Sequence, residues 1–132
     1  MLKIYANVSE GAPPQHESAL DPEDLARFFV LRANAGDVEG LVALYEADAV
    51  LALADGKVAE GAEAIRRFYT AMLSGQPKLV AGEQSPALLN GDLALTSSRL
   101  ANGTVTAEIA RRQPGGNWLW AVDQPVLSVR AA

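Results

Sequence analysis

Residues 78–128 read KLVAGEQSPALLNGDLALTSSRLANGTVTAEIARRQPGGNWLWAVDQPVLS, and three turn signals divide them: Asn90-Gly91, Asn102-Gly103 and Pro114-Gly115-Gly116-Asn117. Asn-Gly favours the two-residue type I′ turn, because both central positions need positive φ and the turn matches the twist of antiparallel strands. Turns spaced about twelve residues apart make this stretch a four-strand antiparallel meander.

Everything upstream reads as helices and one small hairpin. Asp21-Pro22 opens a helix, with an N-cap acceptor, a proline at the first helical position, and Glu23 and Asp24 at the positive end of the dipole. The helix extends to Ala35 and stops at Gly36. Asp37 caps a second, shorter helix in which Val38, Leu41, Val42 and Tyr45 share one face. Ala49–Leu53 and Lys57–Ala59 flank Asp55-Gly56 as a hairpin. Gly61 opens a third helix, carrying Ile65, Phe68, Tyr69 and Met72 on one stripe, and Gly75 ends it. Residues 1–20 form an arm with a short strand expected at Leu2–Val8, and residues 21–132 form a single domain. Three helices followed by an antiparallel sheet is an α+β arrangement.

The turns also set the strand register. Two-residue loops at Asn90-Gly91 and Asn102-Gly103 pair Leu89 with Asp92 and Ala101 with Thr104. A four-residue connection at Pro114–Asn117 pairs Gln113 with Trp118. One row across the sheet is then Gln84–Ser97–Glu108–Asp123, with Arg99 in the neighbouring row on the same face. Trp120, Ile109, Val122, Leu100, Val105 and Val126 fall on the opposite face. Two carboxyl groups opposed across adjacent strands raise each other's pKa, which suits a general acid or base. A solvated outer face is the plainer reading of the same row. A single β-bulge would reverse the faces beyond it.

Bulk properties limit the partners. The net charge is -5, with the acidic residues concentrated in the helical half. Basic residues are scattered, so no phosphate-tracking stripe is present and nucleic acid is not an expected partner. Cysteine is absent, which removes disulfides and thiolate chemistry. No apolar run reaches the ~20 residues of a membrane span, and the N-terminus lacks a signal-peptide pattern. A cytoplasmic location without membrane association follows as the expectation. Carboxylates are dispersed and the one histidine, His16, lies in the arm as a solvated residue. No metal and no cofactor are therefore expected.

Three motifs in order resemble the nuclear-transport-factor-2-like superfamily, in its SnoaL-like, ketosteroid-isomerase-like branch. They are Ala35-Gly36-Asp37 through Tyr45, Gly61-Ala62-Glu63-Ala64-Ile65 through Tyr69, and Arg111-Arg112-Gln113-Pro114-Gly115-Gly116-Asn117-Trp118 through Asp123. The resemblance implies a cone: a curved antiparallel sheet, made of the meander and the short hairpin, wrapped around the three helices. It also implies an internal pocket, commonly with a dimer across the sheet's outer face. Folds of this kind host several activities and non-catalytic assembly domains, so the site must carry the function. The ketosteroid isomerase trio of an aspartate base, a tyrosine and a protonated aspartic acid, a worked case of pKa tuning, has no residue-by-residue match. The aspartate–histidine pair of the dehydratase relatives is missing.

Under this resemblance the closing aspartate faces the cavity. The expected site is Asp123 as base with Glu108 tuning it, and Gln84, Ser97, Arg99, Tyr45, Tyr69 and Arg32 as ligand contacts. Tyr45 and Tyr69 need hydroxyl partners if buried, which a cavity wall offers. Arg32 either snorkels to solvent or reaches the cavity mouth. Trp118 and Trp120 on the outer face suit a dimer partner, or core and edge packing. Two functions stay open. One is a pocket protein that binds a compact apolar or carbonyl-bearing ligand. The other is a metal-free isomerase, cyclase or dehydratase.

Overall fold

The computed structural model describes residues 16–129, so the strand expected at Leu2–Val8 lies outside the described residues. Helix α1 spans Asp24–Asn34 and α2 spans Val38–Val42. Strands β1 (Tyr45–Ala52) and β2 (Val58–Glu60) form the small hairpin, and α3 spans Gly61–Ser74. The meander contributes β3 (Glu83–Gln84), β4 (Leu88–Asn90), β5 (Leu93–Thr96), β6 (Ser98–Arg99), β7 (Thr104–Arg112) and β8 (Trp118–Val129). The expected first two strands are each broken, at Pro86 and at Ser97. Those breaks curve the sheet.

The strand order is β2-β1-β8-β7-β5-β4, with β6 beside β7 and β3 beside β6. All pairs in the meander are antiparallel, as expected. β1 pairs with β8 in parallel, so the whole sheet is mixed rather than antiparallel. The cause is local: β1 follows α2 after two residues and starts near the beginning of the closing strand, with Trp120 N–H donating to Leu44 O at 2.8 Å. Tyr45 therefore begins a strand instead of ending the α2 stripe. The helix caps are as read for α2, where Asp37 Oδ1 accepts Gly40 N–H at 2.9 Å. Asp21 instead accepts Glu23 N–H at 2.9 Å within a turn that precedes α1.

The helices pack into the concave side of the sheet. Leu25, Leu41, Leu51 and Ile65 are fully buried there, with Phe28, Tyr69, Trp118 and Trp120 around them. The end of the arm is strapped to this body. Ala19 O accepts Trp118 N–H at 2.8 Å, and Arg32 donates to Glu17 O at 2.6 Å and Gly40 O at 2.9 Å. His16 is half-buried rather than fully solvated, with its Nε2 2.8 Å from Asp37 Oδ2.

Candidate functional site

The register that positions the site differs from expectation at all three turns. Asn90 pairs with Leu93, which moves the first turn to Gly91-Asp92 by a two-residue slide that keeps β4 as expected relative to β5, whereas Gln84 pairs with Ser98 instead of Ser97. At the second turn Thr96 pairs with Glu108. Leu100 N–H bonds to Thr104 O at 2.8 Å, so the loop holds three residues, with Gly103 at φ +91°. That one-residue change reverses β5 and β6. Ala94, Thr96 and Ser98 face inward and are buried. Ser97 and Arg99 turn out of the cavity, and Ser97 Oγ donates to Thr106 O at 2.7 Å.

Between β7 and β8 the expected pairing of Glu108 with Asp123 is present. Toward the turn Arg112, not Gln113, pairs with Trp118 and Ala110 pairs with Trp120, so Ala121 is an extra residue on β8 that restores the expected register at Asp123. This bulge lets Trp120 point inward together with Asp123, although they stand an odd three positions apart. Trp118 and Trp120 are thus core residues at 5% and 4% exposure, not outer-face residues.

Inside the cone lies a cavity of about 530 Å³. Phe29, Met72, Leu79 and Leu100 form apolar walls, and Tyr69 and Trp120 add aromatic surface. Asp123, Glu108, Thr106, Ser98 and Gln84 supply its polar end, and Arg27 lines it from α1. Phe29 meets Tyr69 edge-on with centroids 5.8 Å apart, and meets Trp120 at 6.1 Å. The indole Nε1 of Trp120 is buried and finds no acceptor among the described residues.

Asp123 and Glu108 are 6% and 7% exposed. Tyr45 O–H donates to Asp123 Oδ2 at 2.5 Å, and its oxygen is 2.6 Å from the Tyr69 hydroxyl. With Tyr45 donating to the carboxylate, Tyr69 donates to Tyr45, giving a chain Tyr69→Tyr45→Asp123. Thr96 O–H donates to Glu108 Oε1 at 2.6 Å. Burial pushes Asp123 up to about 7. The Tyr45 hydrogen bond acts against that rise, and the charge of Glu108 adds to it. Burial also raises Glu108, opposed by the hydroxyls of Thr106 and Thr96. Burial and the nearby Asp123 charge hold both tyrosines well above the usual phenol range, so both stay neutral donors.

Of the residues expected at the site, Asp123, Glu108, Gln84 and Tyr69 line the cavity, and Tyr45 stands behind Asp123. Ser97 and Arg99 do not, because of the three-residue loop. Arg32 does not either; it lies over the Phe28 ring at 4.9 Å and ties the arm to α2. The sequence reading missed Trp120, Thr96 and Thr106. The spacing of Trp120 and Asp123, both destined for burial, was the available signal of a bulge. Among the described residues no three His, Asp or Glu side chains converge as metal ligands. No helix there is long and apolar enough to cross a membrane.

A helix-filled, curved sheet with a pocket at its polar centre defines the cystatin-like α+β cone. The chain belongs to the SnoaL-like domain family, whose model matches residues 25–123. It is similar in structure to a protein of unknown function with a cystatin-like fold from Nostoc punctiforme, at 25% identity, TM-score 0.61, and coverage of 80% of this chain and 86% of that one. A ketosteroid isomerase-like protein from Erwinia carotovora atroseptica is similar at 21% identity and TM-score 0.58, covering 76% and 88%. An NTF2-like protein with a cystatin-like fold from Novosphingobium aromaticivorans is similar at 21% identity and TM-score 0.55, covering 82% and 80%. No curated protein matches the chain.

Proposed function

We propose that this domain binds a small, largely apolar molecule whose one polar group meets Asp123 and Glu108. The observation that carries this reading is the free side of the Asp123 carboxyl. Tyr45 makes the only hydrogen bond to it among the described residues, and the group lines a cavity whose other walls are mostly apolar. The volume lies in the range typical of small-molecule sites. Native mass spectrometry of the protein purified from cells should detect a bound small molecule, or a naphthyl probe should bind with a blue-shifted emission. Met72→Trp fills the cavity from α3 and should abolish that binding. Probe binding that ignores Met72→Trp would sink the pocket reading.

A second reading, acid/base turnover with Asp123 as base, is favoured by one observation. A carboxyl group that titrates near 7 is matched to proton transfer at neutral pH. Its test is deuterium uptake at the acidic C–H of a carbonyl compound that binds the pocket. Uptake should vanish in Asp123→Asn; uptake at the wild-type rate in that variant would dismiss the reading.

The outer sheet face supports a homodimer. Leu88, Leu95, Ile109 and Val122 stand in one row across β4, β5, β7 and β8, all of them exposed. A contiguous apolar patch of this kind marks an interaction surface.

A further inference from the structure

We propose that the polar group of the ligand is a protonated amine, seated against the carboxyl groups of Asp123 and Glu108 with its carbon skeleton along Phe29, Tyr69 and Trp120. This rests on the pocket reading above and specifies the ligand class it takes. The polar end carries two acids, and no ion pair among the described residues includes either carboxyl group; Arg27, the cation on the cavity wall, pairs with Asp24. The protein directs hydroxyl donors at both of them, Tyr45 at Asp123 and Thr96 at Glu108. Those donors favour the ionised carboxylates and leave acceptor positions toward the cavity. To the ionised pair a carbonyl ligand would bring only another acceptor. An ammonium brings both N–H donors and the missing positive charge. Aromatic walls add to this preference, because ring faces attract a desolvated cation.

The pH dependence separates the two ligand classes by sign. The groups beside the carboxyl pair are Tyr45 from β1 and Tyr69 from α3, both neutral donors; Arg27 from α1 lines the same cavity and pairs with Asp24 at 3.3 Å. Raising the pH therefore ionises Asp123 and strengthens amine binding, whereas it weakens binding of an acceptor that needs the protonated acid.

The test compares two probes of one shape, naphthalen-2-ylmethylamine and naphthalen-2-ylmethanol, by isothermal titration between pH 5 and pH 8.5. The expected result is an amine that binds at least tenfold more tightly than the alcohol at pH 8, with an affinity that rises through pH 7. Asp123→Asn should reduce the preference severalfold. Equal or tighter binding of the alcohol, or amine affinity falling with pH, would overturn the amine assignment while leaving the pocket reading in place. Failure of both probes to bind wild-type protein would count against the pocket reading, and the amine assignment with it.

Discussion

At Asp123 a buried carboxyl is kept protonated into the neutral range, and this has a direct consequence for stability. The unfolded chain ionises this side chain near 3.9, whereas the folded protein holds it to about 7. The folded-state value is raised, so the contribution is fully present below pH 4 and is lost as pH rises through 7. Each unit of difference is worth about 1.4 kcal/mol, so the wild-type protein gives up roughly 2–4 kcal/mol between pH 4 and pH 8 on this group alone. Asp123→Asn keeps a carbonyl oxygen for the Tyr45 hydroxyl and removes the titration. It should melt higher than wild type at pH 8 and nearly the same at pH 4. A variant that melts lower at both pH values would make Asp123 a structural acceptor for β8 instead. Tyr45→Phe probes the same bond from the other side. Losing the donor removes what opposes the rise, so the carboxyl pKa, followed by carbon NMR, should move above its wild-type value. The loss of bonds to both Asp123 and Tyr69 should cost ~1–2 kcal/mol. A downward shift would show that Tyr45 does not stabilise the charged form.

The elements show which parts of this architecture could be read from the chain and which could not. Helix caps and strand-ending turns are local, so Asp37, Gly61, Gly75 and the meander were legible. The order of the elements, with the three family motifs, then gave the fold. Register depends on loop length, and Asn-Gly does not fix that length: Asn102-Gly103 sits in a three-residue loop. That single residue displaced Ser97 and Arg99 from the cavity, while the Glu108–Asp123 pairing is met because two departures cancel: Arg112, not Gln113, pairs with Trp118, and the Ala121 bulge restores the count. The Ala121 bulge accompanies the packing of Trp120 against Tyr45 and Phe29, contacts distant in sequence, and its one local trace is the spacing of Trp120 and Asp123. A test of the loop geometry follows. Gly103 has φ +91° and Gly91 has φ +60°. The second value lies in the left-handed region open to other residues, and the first lies beyond it. Gly103→Ala should therefore cost ~1–2 kcal/mol in urea unfolding, and Gly91→Ala clearly less. Equal costs would contradict the assigned loop. Gly40→Ala bears on α2, since a Cβ there would lie 2.3 Å from Asp37 Oδ2 and 2.8 Å from His16 Nε2. Displacing Asp37 breaks the N-cap and the link to His16, at an expected cost of ~1–2 kcal/mol.

In the whole molecule the two faces of one sheet have opposite characters that come from the same strands. Glu108 and Asp123 point into the cavity, and their chain neighbours Ile109 and Val122 point out. The inner row needs the apolar burial that the helices provide, but among the described residues nothing covers the outer row of Leu88, Leu95, Ile109 and Val122, whose exposures are 69%, 48%, 38% and 42%. Water against that row is unfavourable by about 25 cal/mol per Å², and a second copy related by a two-fold axis would bring the same row against itself. Ion pairs flank the row, with Arg111 on Glu46 at 3.0 Å and Arg112 on Asp92 at 2.7 Å, and would form a polar rim. Light scattering at micromolar concentration should then give about twice the chain mass of 13.9 kDa. Ile109→Lys puts a charge at the centre of the row and should return the mass to that of one chain while circular dichroism is unchanged. Wild-type protein that scatters as a single chain would refute the dimer. A dimer that survives Ile109→Lys would move the interface off this face and leave the exposed row without a partner.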